Sequence, residues 1–388
     1  MTVVIIPFLL AIPPIAYGLF TLYCGRSFFR GRNDRDHIPL RDYFPPVSII
    51  KPVKGMDAGS LENFSSFCRQ EYPDFQIIFA CASSNDPVIG VIEQLQADFP
   101  GREIDLVIDG RIHGPNYKVC NLINAYDKAR HDLIIICDSD VRVGSAFLQK
   151  VCGWFADPEV GLVTSLYRSS GIVGVAAAIE AMGFTCEMVP NVLAAHRLEG
   201  LSFALGASMA VRREALDKIG GFHALVDYLA DDYQLGNKVW RAGYRIELSG
   251  YFVESIMHRE TLGMVLSRQL RWARTMRVSR PAGYFASVIT QPVPFIILAM
   301  VLSGFSSAGF AAGALICLFR SLVAVVYSRT FTKDRIFPRW ILLLPVRDIL
   351  SFVIWGASFL GNRVRWRGHL FQLLPEGRIE EVSGGQAS

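Results

Sequence analysis

Charge is scarce in this chain. Asp, Glu, Lys and Arg make up 19% of its 388 residues, and 39 basic side chains against 35 acidic ones leave a net charge of only +4. So small an excess excludes a nucleic-acid binder held by charge alone. The eight cysteines (Cys24, Cys68, Cys81, Cys120, Cys137, Cys152, Cys186 and Cys317) include no C-x-x-C pair, and several lie in apolar runs. They read as buried, reduced thiols of a cytosolic domain rather than a disulfide or zinc framework. No G-x-G-x-x-G follows a strand and no G-x-x-x-x-G-K-[ST] occurs, which argues against dinucleotide and P-loop chemistry. The seven histidines show no zinc spacing such as H-E-x-x-H. Gly206-Ala-Ser208-Met-Ala210 lacks the second glycine of a nucleophile elbow and reads as a strand. There are no internal repeats, and low complexity is confined to the polar end Ser383–Ser388.

Apolar residues are plentiful instead: 51% of the chain, with a mean hydropathy of +0.31. That is ample for a core, so disorder is excluded as the main state. The apolar residues are also unevenly spread. Thr2–Gly25 carries no charge, and a bilayer span takes roughly 20 apolar residues. No basic residue precedes this stretch and no small-x-small cleavage site closes it, so residues 1–25 read as an anchor rather than a removable signal. Seven Lys/Arg follow between Arg26 and Lys54, which puts the N-terminus outside and the following region in the cytosol. Pro281–Phe319 is uncharged over 39 residues, roughly 58 Å of helix, too long for one ~30 Å hydrocarbon core. The economical expectation is two helices within 285–328, turning near Ser303–Gly313, with Arg320 facing protein or snorkelling. A third stretch, 336–360, is interrupted by Pro345, Arg347 and Asp348. It reads as broken, re-entrant or interfacial rather than plainly spanning, and 361–388 as a polar tail.

Between these parts lies a region of ordinary composition, 45–260, large enough for one α/β domain. Val47-Ser-Ile-Ile50, Phe75–Cys81, Ile104–Ile108 and the unbroken run Leu133-Ile-Ile-Ile-Cys137 read as strands. Leu61–Gln70, Val88–Asp98 and Lys118–Ala129 read as the helices between them. Such alternation predicts a parallel sheet with ligands beyond the carboxyl ends of its strands. The acids fall there. Asp86 lies in the loop after the strand ending at Cys81, and Asp138-Ser-Asp140 directly follows Cys137. Two carboxylates at i and i+2 suit a hard divalent cation, Mg²⁺ or Mn²⁺, shared with a diphosphate; the alternative is a solvated turn. Tyr228-Leu-Ala-Asp-Asp-Tyr233 sets two acids among apolar and aromatic neighbours, where a raised pKa suits a general base, although Asp also stabilises a helix start.

Arg268-Gln-Leu-Arg271-Trp272 is followed by Arg274, Arg277 and Arg280, and no acid lies between Glu260 and Asp334. Arginines every third residue wind around a helix rather than along one face. The segment 261–284 therefore reads as a juxtamembrane interface that meets anionic headgroups, or whose first arginines grip a diphosphate. Gly171–Ala195, apolar and rich in small residues, reads equally as a core helix or part of a lipid groove.

In this order, Asp86, Asp138-Ser-Asp140, Asp232 and Arg268-x-x-Arg271-Trp272 resemble the D, D, D, (Q/R)-x-x-R-W pattern of inverting glycosyltransferases of the ceramide glucosyltransferase branch. The likeness runs through Ile50–Gly55, Asn116–Leu122, Ile136–Val143 and Gly206–Gly221. Tyr228–Gly236 and Leu270–Arg277 are similar to the wording of hopanoid-biosynthesis glycosyltransferases. Two departures from the animal ceramide enzymes stand out: no His-Pro within Glu187–Leu193, and Asp138-Ser-Asp140 in place of Asp-Ser-Gly.

The resemblance implies an α/β GT-A-type domain, a Rossmann-like, mixed and mainly parallel sheet, embedded between transmembrane helices. It implies a UDP-sugar donor, a lipid acceptor and a multi-pass protein of the bacterial inner membrane whose catalytic domain faces the cytosol. Asp86, with Lys51 and Pro52, would hold the uridine, and Lys118 would join the donor-binding residues. Asp138 and Asp140 would take ribose and the metal-bridged diphosphate. Asp232, with Asp231 beside it, would be the base, and Arg268, Arg271 and Trp272 would line the diphosphate and acceptor side. The expected reaction moves N-acetylglucosamine to bacteriohopanetetrol, or alternatively glucose to ceramide. A processive polysaccharide synthase and a non-catalytic lipid-binding scaffold are the more distant readings.

Overall fold

The computed structural model describes residues 2–35, 43–257, 259–334 and 337–382. The chain divides into two compact units. One comprises Arg32–Gly171 with Gly200–His258, and the other Met1–Gly31, Ile172–Glu199 and Arg259–Ser388. Residues 172–199, expected inside a continuous 45–260 domain, thus leave the globular unit and join the apolar one.

The globular unit is built on eight strands: β1 (Val47–Pro52), β2 (Phe75–Cys81), β3 (Glu103–Ile108), β4 (Leu133–Cys137), β5 (Val141–Arg142), β6 (Val160–Ser170), β7 (Ser208–Arg212) and β8 (Arg245–Ile256). Their order is β3-β2-β1-β4-β7-β6-β8-β5. The β3-β2-β1-β4 half is parallel, with Ile49 beside Ile77 on one flank and Ile135 on the other. β7 then runs antiparallel to both β4 and β6. The sheet is therefore the mixed, mainly parallel one anticipated. β1, β2 and β4 are buried along their whole length, which explains their continuous apolar runs. The chain adds strands on one side of β1 up to β3, then returns to the other side with β4. The carboxyl ends of β1 and β4 therefore meet at the point where the strand order reverses, the place where open α/β sheets bind ligands.

Among the described residues of the apolar unit, three helical stretches are long and apolar enough to cross a membrane: Val4–Arg30, Ser307–Phe331 and Phe337–Ala357. Pro281–Thr290 and Pro292–Leu302 form a pair bent by 59°. Pro292 lacks the N–H a helix needs and keeps Gln291 extended, so the helix breaks there. Of the two spans expected within 285–328, the first is thus a broken pair; the helix Pro292–Leu302 has 11 residues, about 16 Å, and cannot span alone. The turn to the next helix, at 303–306, uses positive φ at Gly304 and Phe305.

Residues 337–357 are helical with one tight stretch, not visibly broken, because their charges find partners. Arg347 pairs with Glu187 (2.8 Å), and Asp348 with Arg320 (3.1 Å), which also donates to the Cys186 carbonyl. Arg320 therefore faces protein. The N-terminal helix lies close to the helix Ser307–Val326: a Cβ on Gly18 would stand 2.6 Å from the Phe319 ring, and the Tyr327 hydroxyl donates to the Thr21 carbonyl (2.6 Å). Small residues permit such close helix approach.

The expected polar tail is folded over most of its length. β9 (Arg363–Trp366), β10 (His369–Leu373) and β11 (Ile379–Glu381) form an antiparallel sheet that buries Val364, Phe371, Leu373 and Ile379. Residues 383–388 lie outside the described residues.

Candidate active site

Within the globular unit the site begins where β4 ends. Asp138 and Asp140 follow Cys137, and Lys51, one residue before the end of β1, reaches beneath them. Its side chain is fully buried, with Nζ donating to the Asp138 carbonyl (2.9 Å) and lying 3.8 Å from the centre of the Phe67 ring. Burial lowers its pKa. Lys51, expected to touch the donor, thus braces the Asp138 turn from below, and Pro52 is likewise buried in the strand.

Asp86 is half-buried. Its two carboxylate oxygens accept from the Gly55 N–H (2.9 and 3.1 Å), and one also accepts from the Val88 N–H at the start of a helix (3.0 Å). Gly55 has φ of +70°, a left-handed conformation that glycine adopts without strain. Asp86 therefore joins the loops after β1 and β2.

Lys118 is the hub. It lies in the first turn of the helix Tyr117–Tyr126, with Nζ 2.9 Å from Asp138 Oδ1 and 3.1 Å from Asp231 Oδ2. Burial opposes its charge, but Asp138 and Asp231 outweigh that and raise its pKa. One ammonium thus draws together two acids that stand 93 residues apart in sequence. Asp231 and Asp232 open the helix Asp231–Arg241, where a carboxylate also meets the positive end of the helix dipole.

Asp232 is pushed up to about 6, first by burial and then by the neighbouring charge of Asp231. Asp140, half-buried, rises to about 6, through desolvation and then the charges of Asp138 and Asp57. It accepts a hydrogen bond from the Ser255 hydroxyl (3.1 Å). The Asp138 side chain is 39% exposed, the open member of the group.

Among the described residues no group of three or more His, Cys, Asp or Glu is arranged to hold a metal ion. The pair Asp138 and Asp140 still suits one. Mg²⁺ is commonly held by one or two carboxylates, with substrate phosphates and water completing its shell, and Asp140 is crowded by negative charge that a cation would relieve.

Three contributors were missed in the sequence. The Asp57 carboxylate accepts from the Ser139 hydroxyl, between the two candidate metal ligands. Asn116, fully buried, donates from its side chain to the Tyr228 carbonyl (2.7 Å) and from its backbone to the Val226 carbonyl (3.0 Å). Its side-chain oxygen accepts from the Val119 N–H (3.1 Å), capping the helix that carries Lys118. An Asn before an amphipathic stretch is a legible cap; its grip on the segment leading to Asp231 is not. Gly206 leaves room for Asp232: a Cβ there would stand 2.8 Å from Asp232 Oδ2.

Arg268, Arg271 and Trp272 belong to the apolar unit, on the helix Leu262–Ser279. Arg268 is paired with Glu180, through a 2.7 Å bond from Nε and a second bond from Nη2, and with Glu260 (3.3 Å). The Arg271 guanidinium lies 5.9 Å from the Trp366 ring centre, and Trp272 packs against Phe184 with ring centres 6.0 Å apart. The segment 172–199 thus supplies the buried Glu180 and the half-buried Glu187 to arginines of its own unit.

Residues 6–379 match the family described as glycosyl transferase family 21. Similar relatives include ceramide glucosyltransferase 3 of Caenorhabditis elegans, 26% identical over 86% of this chain and 74% of that protein. The ceramide glucosyltransferase of Pyricularia oryzae is 23% identical over 88% of this chain and 87% of its own length. Among solved structures, a mannosyltransferase from Pyrobaculum calidifontis superposes with a TM-score of 0.48 at 18% identity, covering 89% of this chain and 98% of that one; a likeness so loose bears on nothing in the site. The match over nearly the whole length makes the chain a member of glycosyl transferase family 21.

Proposed function

We propose that this glycosyltransferase moves a hexose from a UDP-sugar to a hydroxyl of a membrane lipid, with inversion, and that UDP-glucose and a ceramide are its substrates. The observation that carries the mechanism is the Lys118 bridge, which ties Asp231 to Asp138 and sets the raised Asp232 carboxylate in the same cluster. The names of the two relatives support ceramide as acceptor. Nothing in the comparisons supports N-acetylglucosamine or a hopanoid, so that pair becomes an arm of the test. The apolar helices support a membrane-embedded enzyme, and the excess of Lys/Arg after the first of them supports a catalytic unit on the cytosolic side.

The reaction is one displacement. Asp232 accepts the proton of the acceptor hydroxyl, and the freed oxygen attacks the anomeric carbon opposite the diphosphate. The bond from that carbon to the diphosphate oxygen breaks, and UDP leaves with the electron pair. With a pKa near 6, Asp232 is largely ionised at neutral pH yet more basic than an ordinary carboxylate, the balance a general base needs. Asp231 is engaged by Lys118 and keeps that ammonium between the two acidic segments. Asp138 and Asp140 would hold a divalent cation, which when bound supplies Lewis-acid neutralisation of the leaving diphosphate. Asp86 would meet the uridine.

The test is UDP release by detergent-purified protein with Mg²⁺ or Mn²⁺, crossing UDP-glucose and UDP-N-acetylglucosamine with ceramide and bacteriohopanetetrol. Turnover with glucose and ceramide, lost in Asp232→Asn, is expected. Turnover only with N-acetylglucosamine and the hopanoid would keep the mechanism and replace both substrates. Folded protein that neither binds UDP nor turns over would sink the enzymatic reading.

A further inference from the structure

The stretch Phe337–Ala357 has the length and hydropathy of a membrane span, yet both of its ends are tied to one side. The N-terminal helix and the helical stretch Ser307–Phe331 run in the same direction. A Cβ on Gly18 would stand 2.6 Å from the Phe319 ring, the Tyr327 hydroxyl donates to the Thr21 carbonyl (2.6 Å), and a Cβ on Gly25 would stand 2.6 Å from the Phe331 ring. Parallel neighbours leave a bilayer on the same side, so the chain emerges on one side both after Gly25 and after Phe331. Among the described residues between Arg32 and His258, no helix is long and apolar enough to cross, and the helix Leu262–Ser279 is not apolar enough either. Arg274 and Arg277 on that helix are therefore on this side too.

These two arginines take hold of the chain just beyond Ala357. Arg274 donates to the carbonyls of Leu360 (3.1 Å) and Arg363 (2.6 Å). Arg277 donates to the Gly361 carbonyl (3.2 Å) and to the Asn362 side chain. The Trp355 indole donates to the Tyr284 carbonyl (3.1 Å), near the start of the bent pair. The chain thus departs from Phe331 and arrives at Leu360 on the same side, so what lies between crosses an even number of times. Twenty-one residues can cross once or not at all. They do not cross.

The two faces of the helix suit that placement. Val346, Ile349 and Val353 are exposed and follow one another at three and four residues, along one stripe. The opposite face carries Arg347, Asp348 and Ser351, which are engaged by Glu187, Arg320 and Glu187 respectively. Exposed arginines flank the stripe, Arg339 before it and Arg363 and Arg365 after it, the last two on one face of β9. An apolar stripe flanked by cations is what a helix lying in the headgroup boundary presents to a leaflet.

We propose that residues 337–360 are a membrane-surface docking element rather than a span. They lie along the leaflet on the side to which the first helix delivers the chain, with Val346, Ile349 and Val353 against acyl chains and Arg339, Arg363 and Arg365 at the phosphates. The C-terminal sheet then stands on that same side. The inference rests on the membrane-embedded reading above.

The experiment labels single added cysteines with a membrane-impermeant maleimide in right-side-out and inverted membrane vesicles, against the parent chain as background. Asp98→Cys marks the globular unit, Ser307→Cys the far end of the bent pair and Glu380→Cys the C-terminal sheet; Asp98 and Glu380 are exposed helix and strand positions, and Ser307 is exposed at a helix start. Glu380→Cys is expected to label in the same vesicles as Asp98→Cys, and Ser307→Cys in the opposite ones. Glu380→Cys labelling together with Ser307→Cys, opposite to Asp98→Cys, overturns the proposal alone. Asp98→Cys and Ser307→Cys labelling from one side would show that the bent pair does not cross, and the membrane-spanning reading would fall first and take the proposal with it. Depth gives a second readout. Val346→Cys and Val353→Cys carry a fluorophore in vesicles of lipids brominated at known depths. A crossing helix would separate the two labels by about 10 Å in depth, at roughly 1.5 Å per residue, and that separation overturns the proposal; equal depths are expected.

Discussion

The two units treat buried charge in opposite ways. In the globular unit, acids are packed against acids: Asp140 beside Asp138 and Asp57, Asp232 beside Asp231, with Lys118 bridging only part of the group. In the apolar unit each of three arginines has an acidic partner: Arg268 has Glu180, Arg347 has Glu187, Arg320 has Asp348. Matched pairs make a scaffold, because a charge in low dielectric persists only with a counter-charge and hydrogen bonds. Unmatched like charges are costly to the fold and worthwhile only where a proton, a cation or a cationic transition state completes them. The contrast separates chemistry from support without reference to any relative.

The largest break in the comparison is expected at its acidic side. Asp232→Asn removes the proposed base while keeping the shape, and kcat should fall by about 10² to 10⁴. UDP affinity should be retained; loss of UDP binding in a folded Asp232→Asn protein would place Asp232 in donor binding instead.

Breaking a matched pair should act on stability first. Arg347→Ala leaves the half-buried Glu187 without its cationic partner and should cost about 1–3 kcal/mol, read as a lower melting temperature in detergent. Replacing both Arg347 and Glu187 by apolar residues should be milder than either single change. A double variant as unstable as the singles would show that the pair's hydrogen bonds to Gln269 and Ser351, rather than charge compensation, decide the matter.

Gly206→Ala sharpens the contrast from the other direction, since it adds no charge. Its methyl would meet Asp232 Oδ2 at 2.8 Å and displace the carboxylate. A shift of that size predicts about a tenfold or greater loss in kcat, up to about 10², with donor KM little changed. Unaltered kcat would mean that the carboxylate's position is not critical.

The smallest effect is the pH response. Asp232 is raised to about 6 by burial and then Asp231, and it serves as base only when ionised. The rate with saturating substrates should therefore be flat above that value and fall about tenfold per unit below it. Stability should move the other way: the folded carboxyl binds its proton more tightly than the unfolded one, so stability drops as pH rises from about 4 through about 6. A rate profile with no inflection near 6 in wild type, or the same inflection in Asp232→Asn, would assign it to another group.

Much of the globular unit was legible because its signals are local. The run Leu133–Cys137 announces a strand buried on both faces, and the acids after it announce the sheet's carboxyl edge. Asn116 was readable as a helix cap, but not as the clasp on Tyr228. Asp57 was not singled out, and Gly206 read only as part of a strand and of the family likeness, because each matters through one contact with a residue distant in sequence: Ser139 for the first, Asp232 for the second. The partners of Arg347 and Asp348, Glu187 and Arg320, were illegible for the same reason, since they lie far away in sequence.

The sequence by itself determined the alternation of strands and helices, the apolar segments and the identity of the acids and arginines, since each depends on neighbours within a few residues. Only the tertiary structure decided which charges are matched. It gave the segment 172–199 to the apolar unit, turned the expected tail into a sheet that braces the arginine helix, and put Lys118 between Asp138 and Asp231. The physical reason is one of range. Hydrophobic periodicity is written along the chain, whereas the cost of a buried charge is set by whatever the fold brings within about 4 Å of it.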